Sequence, residues 1–231
     1  MKRTTVMGLG LLVGCALLPT LEPAEVRYVA ATDWEGVPEV NGERVFETDL
    51  GYLVGLSAFG FRTTSLELFP CAFARFDPRP TRARAHGSYG HDESVVEADA
   101  FDDLMREQAL ARGAAPTSGS LYCELFSIHG TGRDELVTVI AGWYQAPGSE
   151  ERIPLEAENY FGVSDLVELP LGDWDETLPP GAAEVRITRY PARSFDGLDL
   201  EALPPLDLVY EVSLELLRRQ EARWTMGPAA N

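Results

Sequence analysis

Basic residues are scarce in this sequence. Of its 231 residues, 19 are Lys or Arg and 37 are Asp or Glu, which gives a formal net charge of −18. A field of that sign repels nucleic acid and anionic lipid headgroups, so we expect no nucleic-acid partner. The same field favours solubility and attracts cations or a basic protein partner.

Cysteine and histidine are also rare, at three residues each. No Cys-x-x-Cys spacing occurs, which disfavours a cysteine metal site. The sequence also contains no Gly-x-Ser-x-Gly, no His-Glu-x-x-His and no phosphate-binding glycine loop. Because hydrolase chemistry lacks its usual motifs here, we expect that the protein is not an enzyme.

The apolar run at the N-terminus is too short to cross a bilayer as a stable helix. It covers residues 6–18, whereas a span needs ~20 residues. Lys2 and Arg3 precede the run, and this order is typical of an export signal. We therefore expect residues 1–24 to be a signal segment with a short linker, and residues 25–231 to form one domain.

Cys15 ends the stretch Leu-Val-Gly-Cys, which resembles the bacterial lipobox. Lipid on Cys15 would anchor the protein to a membrane, and the expected location is then the bacterial periplasm or outer membrane. An ordinary secretory signal cleaved near Ala24 or Ala31 is the alternative, and it predicts a secreted protein. A short buried segment of the mature fold is the third interpretation.

Cys71 and Cys123 remain as a pair if Cys15 belongs to the signal or carries the lipid. In an oxidising compartment two remaining cysteines most simply form one disulfide. The loop that it closes has ~50 residues, so a few kcal/mol of stabilisation is expected. A metal site that uses these thiolates is the competing interpretation.

Strand patterns dominate the rest of the chain. Eight runs are β-branched, aromatic or alternate apolar with polar residues: 44–48, 52–56, 65–69, 121–129, 136–144, 163–169, 184–189 and 208–216. The last run alternates most clearly, although residues 211–218 could form a helix in isolation. One segment, residues 93–112, has the pattern of a helix, with Asp92 as its cap. The order predicts an all-β fold, a single antiparallel β-sandwich of about eight strands with one inserted helix near 93–112.

Two of the three histidines lie five residues apart in a glycine-rich loop. His86 and His91 are followed by Asp92, and His129 ends a predicted strand. Neutral imidazoles bind Zn²⁺ and Cu²⁺, and glycines allow a loop to turn both rings inward. We therefore expect a copper or zinc site formed by His86 and His91, with His129 or Asp92 as a third ligand. A solvent-exposed polar loop is the alternative.

Two acidic turns offer oxygen ligands for calcium. Three carboxylates fall within residues 196–201, and three more lie at 173–176. Neither turn matches the EF-hand loop, and a capped turn before a short helix explains the first equally well.

The order of several short motifs resembles that of a group of exported bacterial lipoproteins. These stretches are Val-Phe-Glu-Thr-Asp-Leu-Gly-Tyr at 45–52, Ser-Leu-Glu-Leu-Phe-Pro-Cys at 65–71, the histidine loop, Leu-Tyr-Cys at 121–123 and Ser-Phe-Asp-Gly-Leu-Asp at 194–199. That group is distantly similar to the MbnP-like periplasmic β-sandwich proteins associated with copper. The resemblance implies a β-sandwich, a Cys71–Cys123 pair and copper near His86 and His91. The predicted helix 93–112 replaces a loop of that group.

Two functions follow from these patterns. The first is an exported, lipid-anchored and monomeric envelope protein that binds copper or zinc through its histidine loop. The second is a non-catalytic envelope module whose acidic surface binds a basic partner or keeps the domain soluble, with no metal.

Overall fold

The computed structural model describes residues 25–70, 95–116, 122–130, 135–169 and 183–226. These residues form twelve β-strands, one α-helix and one short 3₁₀ helix. The strands are β1 Glu25–Thr32, β2 Glu39–Val40, β3 Glu43–Glu47, β4 Leu53–Pro70, β5 Val95–Asp103, β6 Ala109–Pro116, β7 Tyr122–His129, β8 Thr138–Gln145, β9 Ile153–Asn159, β10 Val163–Glu168, β11 Ala183–Arg189 and β12 Glu221–Met226. The helix α1 spans Pro205–Arg218, and the 3₁₀ helix spans Ala192–Phe195.

The strands form two sheets, which confirms the predicted all-β sandwich with one helix. Sheet A has the order β12-β11-β1-β6. Sheet B runs β10-β7-β4-β3-β2, with β5 and β8 also paired to β4, and β9 paired to β8. The prediction of a purely antiparallel fold is wrong at one pair, because β1 and β11 run parallel.

The long strand β4 organises sheet B. Its first half pairs with β3 on one side and β8 on the other, and its second half pairs with β5 and β7. Bulges between Leu56 and Ala58 and between Thr63 and Ser65 mark the changes of partner. A bulge bends and twists a strand, so one strand can serve two successive sets of neighbours.

The predicted helix at 93–112 is wrong. Its residues belong to β5 and β6, which form antiparallel pairs with β4 and β1. Alanine, glutamate and arginine give this segment helix propensity, but pairing with two central strands overrides that preference. Val96 and Asp102 are the buried positions of β5, and one extra residue between Glu97 and Ala100 interrupts the regular alternation between them.

The strand predicted at 208–216 is also wrong, because these residues lie in α1. The buried positions of α1 are 208, 209, 212, 213, 216 and 217, which follow the helical period. The helical period was not evident from the sequence, because every second residue of 208–216 is also apolar and this favours a strand. Pro205 at the first helical position favours the helix start, where a missing N–H is tolerated.

Two apolar cores result from this arrangement. One lies between the sheets around Tyr28, Leu66 and Val185. The other lies between sheet B and α1, around Phe59 and Val212. Ser213 of α1 lies 2.7 Å, Oγ to Oγ1, from Thr138 of β8 and so fixes the helix on the sheet. Among the described residues, no helix has the length and hydropathy needed to span a membrane.

Candidate functional site

The predicted metal ligands of the histidine loop lie outside the described residues. His86, His91 and Asp92 fall between the end of β4 and the start of β5. In the register of sheet B, Glu67 faces Val95 and Pro70 faces Tyr122, so β4, β5 and β7 end on the same side of the molecule. The site at His86 and His91 stays a prediction.

The predictions for the cysteines also depend on residues outside the described ranges. Cys15 and Cys71 lie outside the described residues, and Cys123 follows Tyr122 in the backbone of β7. Because Pro70 pairs with Tyr122, the residues that precede Cys71 and Cys123 face each other. The disulfide also stays a prediction.

His129 lies in the interior of the molecule. Its side chain is 0% exposed, and its ring centroid is 4.7 Å from that of Phe61. Nδ1 donates a hydrogen bond of 2.7 Å to the carbonyl oxygen of Arg62, which makes Nε2 a lone-pair acceptor, and Nε2 has no partner in the described part of the chain. Burial, followed by the nearby charge of Arg189, lowers the pKa of His129 to about 3. The ring is therefore neutral, and within the described ranges it joins no group of three potential metal ligands.

A buried ionic cluster ties the two sheets together next to His129. Arg189 of β11 donates from Nη1 to Oδ2 of Asp102 on β5 at 2.9 Å, and from Nη2 to Oγ1 of Thr63 on β4 at 2.7 Å. Arg112 of β6 donates to the other carboxylate oxygen of Asp102. One carboxylate of sheet B thus holds two guanidinium groups of sheet A.

Burial lowers the pKa of Arg189 to about 10. The pKa of Arg112 is lowered first by burial and then by the charge of Arg189. The guanidinium of Arg189 remains charged at neutral pH, and the Nε atoms of both arginines have no partner among the described residues. This buried cluster has a structural role, because it fixes the spacing of the two sheets. Its side chains are not exposed to a ligand.

The acidic turn at 196–201 is a capped turn. Oδ1 of Asp199 accepts a hydrogen bond of 2.7 Å from the hydroxyl of Tyr52, and bonds from the backbone N–H groups of Glu201 and Ala202. This bond to Asp199 raises the pKa of Tyr52 to about 12 and lowers the pKa of Asp199. The turn alternative therefore accounts for these carboxylates, and the second acidic turn, 173–176, lies outside the described residues.

A groove opens along one side of the sandwich. It lies between β10, at the edge of sheet B, and β12, at the edge of sheet A, and its volume is about 380 Å³. The last turn of α1 closes one end. The lining residues are 165–168, 217, 218 and 220–223.

Buried polar groups without partners among the described residues lie in the groove and next to it. Gln220, in the lining, is 6% exposed, and neither its amide nitrogen nor its amide oxygen has a hydrogen-bond partner there. Ser127 is not a lining residue but faces Asp165 in the β7–β10 register; it is buried, and its Oγ has no partner among the same residues. An unpaired buried polar group destabilises a fold by about 1–3 kcal/mol, so a partner that hydrogen-bonds to such a group recovers part of that free energy.

The β10 wall of the groove is acidic. Neither Asp165 nor Glu168 forms a salt bridge within the described part of the chain. Burial raises the pKa of Asp165, although the charge of Arg218 opposes that change. Glu168 faces Glu124 directly across β10 and β7, and burial, then Glu168, raise the pKa of Glu124. By contrast, Arg218 and Arg223 are already paired with Glu215 and Glu221.

Sequence reasoning missed the groove. Gln220 is one of several polar residues after α1, and only the fold shows that its amide is buried. Asp165 carried a usable signal, because it lies two residues from each of Val163 and Val167 and therefore on their face of β10. No protein-family model, curated protein or solved structure matches this chain.

Proposed function

We propose that this protein is an exported, non-catalytic binding module, tethered by lipid at Cys15, that holds a basic protein partner in the groove between β10 and β12. The observation that carries the proposal is the unpaired, buried amide of Gln220 beside an acidic wall. A rigid groove that already contains unpaired polar groups gains hydrogen bonds when a partner fills it, without first losing others.

Charge favours a basic partner over a neutral or an acidic one. Asp165, Glu168 and Glu124 lie on the same strand pair and have no salt bridge among the described residues, and the whole chain has a net charge of −18. Local carboxylates would select the partner, and the long-range field would speed its approach.

The test uses a defined cationic probe. An eight-residue peptide with blocked ends, Thr-Thr-Lys-Val-Val-Lys-Thr-Thr, is titrated into the protein at 50 mM salt and followed by calorimetry. The double variant Asp165→Asn with Glu168→Gln removes the acidic wall, and we expect it to bind about tenfold more weakly, since close opposite charges contribute on the order of 1 kcal/mol.

The matched control removes the same charge elsewhere. Glu156 and Glu158 are exposed residues of β9, away from the groove, and the double variant Glu156→Gln with Glu158→Gln should bind within about twofold of the natural protein. Equal losses in both double variants would mean that the peptide responds only to the overall field, and the groove would not be the site.

A second candidate function is copper or zinc binding through His86 and His91, with Asp92. It is supported by the histidine spacing and by the register that brings the ends of β4, β5 and β7 to one side. A metal held by the folded state raises its melting temperature. We expect a rise with Cu²⁺ or Zn²⁺ that the double variant His86→Ala with His91→Ala abolishes. Equal melting with and without metal would exclude this function.

A further inference from the structure

We infer that the partner enters the groove as an extended strand that adds to the free edge of β10 and binds the Gln220 amide through its backbone. This inference rests on the proposed function and specifies how the basic partner is held. Three features of the groove lead to it: a free strand edge, an amide with two unpaired atoms, and an inward-facing carboxylate.

The free edge is the first feature. Within the described ranges β10 pairs only with β7, so its other edge faces the groove. An edge strand presents unpaired N–H and C=O groups that can accept a further strand. The groove follows residues 165–168 of β10, so an added segment would run along most of the strand.

The Gln220 amide is the second feature. Its nitrogen donates and its oxygen accepts, and neither has a partner within the described ranges. In an extended strand one residue presents its own N–H and C=O to the same side, which is the complementary pair, whereas a side-chain ammonium or carboxylate satisfies only one of the two atoms. An extended backbone is therefore the ligand that pairs both atoms of Gln220.

Asp165 is the third feature, and it determines which strands are accepted. An inward-facing charge on an edge strand discourages pairing with apolar strands, including a second copy of the same edge. A Lys or Arg opposite Asp165 neutralises this charge. Asp165 therefore disfavours apolar partners and favours a basic one.

Strand geometry gives the spacing of the basic residues. Residues opposite Asp165 and Val167 lie on one face of the extended sheet, and those opposite Leu166 and Glu168 lie on the other face. Basic residues opposite Asp165 and Glu168 are therefore three positions apart, with two apolar residues between them. The probe Thr-Thr-Lys-Val-Val-Lys-Thr-Thr has this spacing.

The experiment separates strand addition from charge attraction. The probe is compared with the same sequence carrying N-methyl groups on the two central valines, which keeps both charges and removes backbone donors. We expect the methylated probe to bind at least tenfold more weakly, because each lost hydrogen bond contributes about 1 kcal/mol. If both probes bind equally, strand addition is wrong although the proposed function stands. If neither binds at 1 mM, both are wrong.

Gln220→Leu tests the amide. Because neither amide atom is paired in the free protein, an apolar side chain of similar size should leave the melting temperature unchanged or raise it. The same variant should bind the unmethylated probe about tenfold more weakly than the natural protein does. A variant that melts normally and binds the probe as tightly as the natural protein would contradict the role of Gln220.

Asp165→Lys tests the selectivity. We expect this variant to prefer a probe with glutamate in place of both lysines, by at least tenfold. Unchanged preference for the lysine probe would contradict the role of Asp165, and Asp165→Asn, which should bind both probes weakly, controls for effects on folding.

Discussion

Arg189 and Asp102 join the two sheets through a hydrogen bond of 2.9 Å, with the arginine 1% exposed. Asp102 also accepts a bond from Arg112, so replacing it leaves two buried guanidinium groups without their carboxylate. We expect Asp102→Asn to lower the free energy of unfolding by about 3–5 kcal/mol, measured by urea denaturation.

The control for Asp102 is Asp99, which lies three positions earlier in β5 and forms an exposed ion pair. Its side chain is 69% exposed and lies 2.6 Å from Nη1 of Arg62. Asp99→Asn should change stability by less than about 1 kcal/mol, because exposed ion pairs contribute little. A similar loss in both variants would mean that the buried cluster does not hold the sheets together.

His129 should make stability depend on pH. Its pKa is about 3 in the folded protein against an ordinary 6.5, so the unfolded chain binds more protons between these values. The contribution of the neutral ring is fully present above pH ~6.5 and is lost as pH falls towards 3, with a limiting slope of about 1.4 kcal/mol per pH unit.

His129→Asn isolates this effect, because an amide can keep the bond to the Arg62 carbonyl without titrating. Urea denaturation between pH 7.5 and 4.5 should give a shallower decline for the variant than for the natural protein. Parallel declines would show that carboxylates alone cause the loss and that His129 does not contribute.

Gly55 should tolerate no side chain, since a Cβ there would lie 2.3 Å from Cε2 of Trp143. The guanidinium of Arg152 lies 3.8 Å from the centroid of this indole ring, on which it stacks. We expect Gly55→Ala to destabilise the fold by about 1–3 kcal/mol in thermal and urea unfolding. In a Trp143→Leu background the same change should be much smaller, and an equal effect in both backgrounds would contradict the steric explanation.

Much of the fold could be predicted from the sequence, because β-branched and alternating runs mark most of the strands. The two errors in the type of element, at 93–112 and 208–216, have one cause. Residues 208–217 satisfy both the strand and the helix period, and residues 95–112 have helical propensity but pair with β1 and β4. Local patterns cannot decide between such alternatives when tertiary pairing supplies the larger free energy.

The candidate site was far less predictable. The sequence favours His86, His91 and His129 as candidates, because histidine is rare in this chain and two of the three lie in one loop. Gln220 and Asp165 are ordinary residue types, and their importance depends on burial and on which strand edge is free. Those properties arise only when β10 and β12 end their sheets on the same side.

Cys71 and Cys123 should form a disulfide in the exported protein. Closing a loop of ~50 residues lowers the conformational entropy of the unfolded chain. This stabilises the folded state by about 4 kcal/mol. Mass spectrometry after alkylation without reductant should find both thiols protected, and Cys71→Ser with Cys123→Ser should melt at a lower temperature. Alkylation of both residues in the unreduced protein would contradict the bond.

The most direct test of the groove is hydrogen exchange on the protein with and without the lysine probe. Amides of β10 should exchange more slowly when the probe is present, because an added strand pairs its free edge. The edge strands β2 and β9 should exchange unchanged. Slower exchange at those strands instead, or no change along β10 at saturating probe, would contradict the assignment of the groove as the partner site.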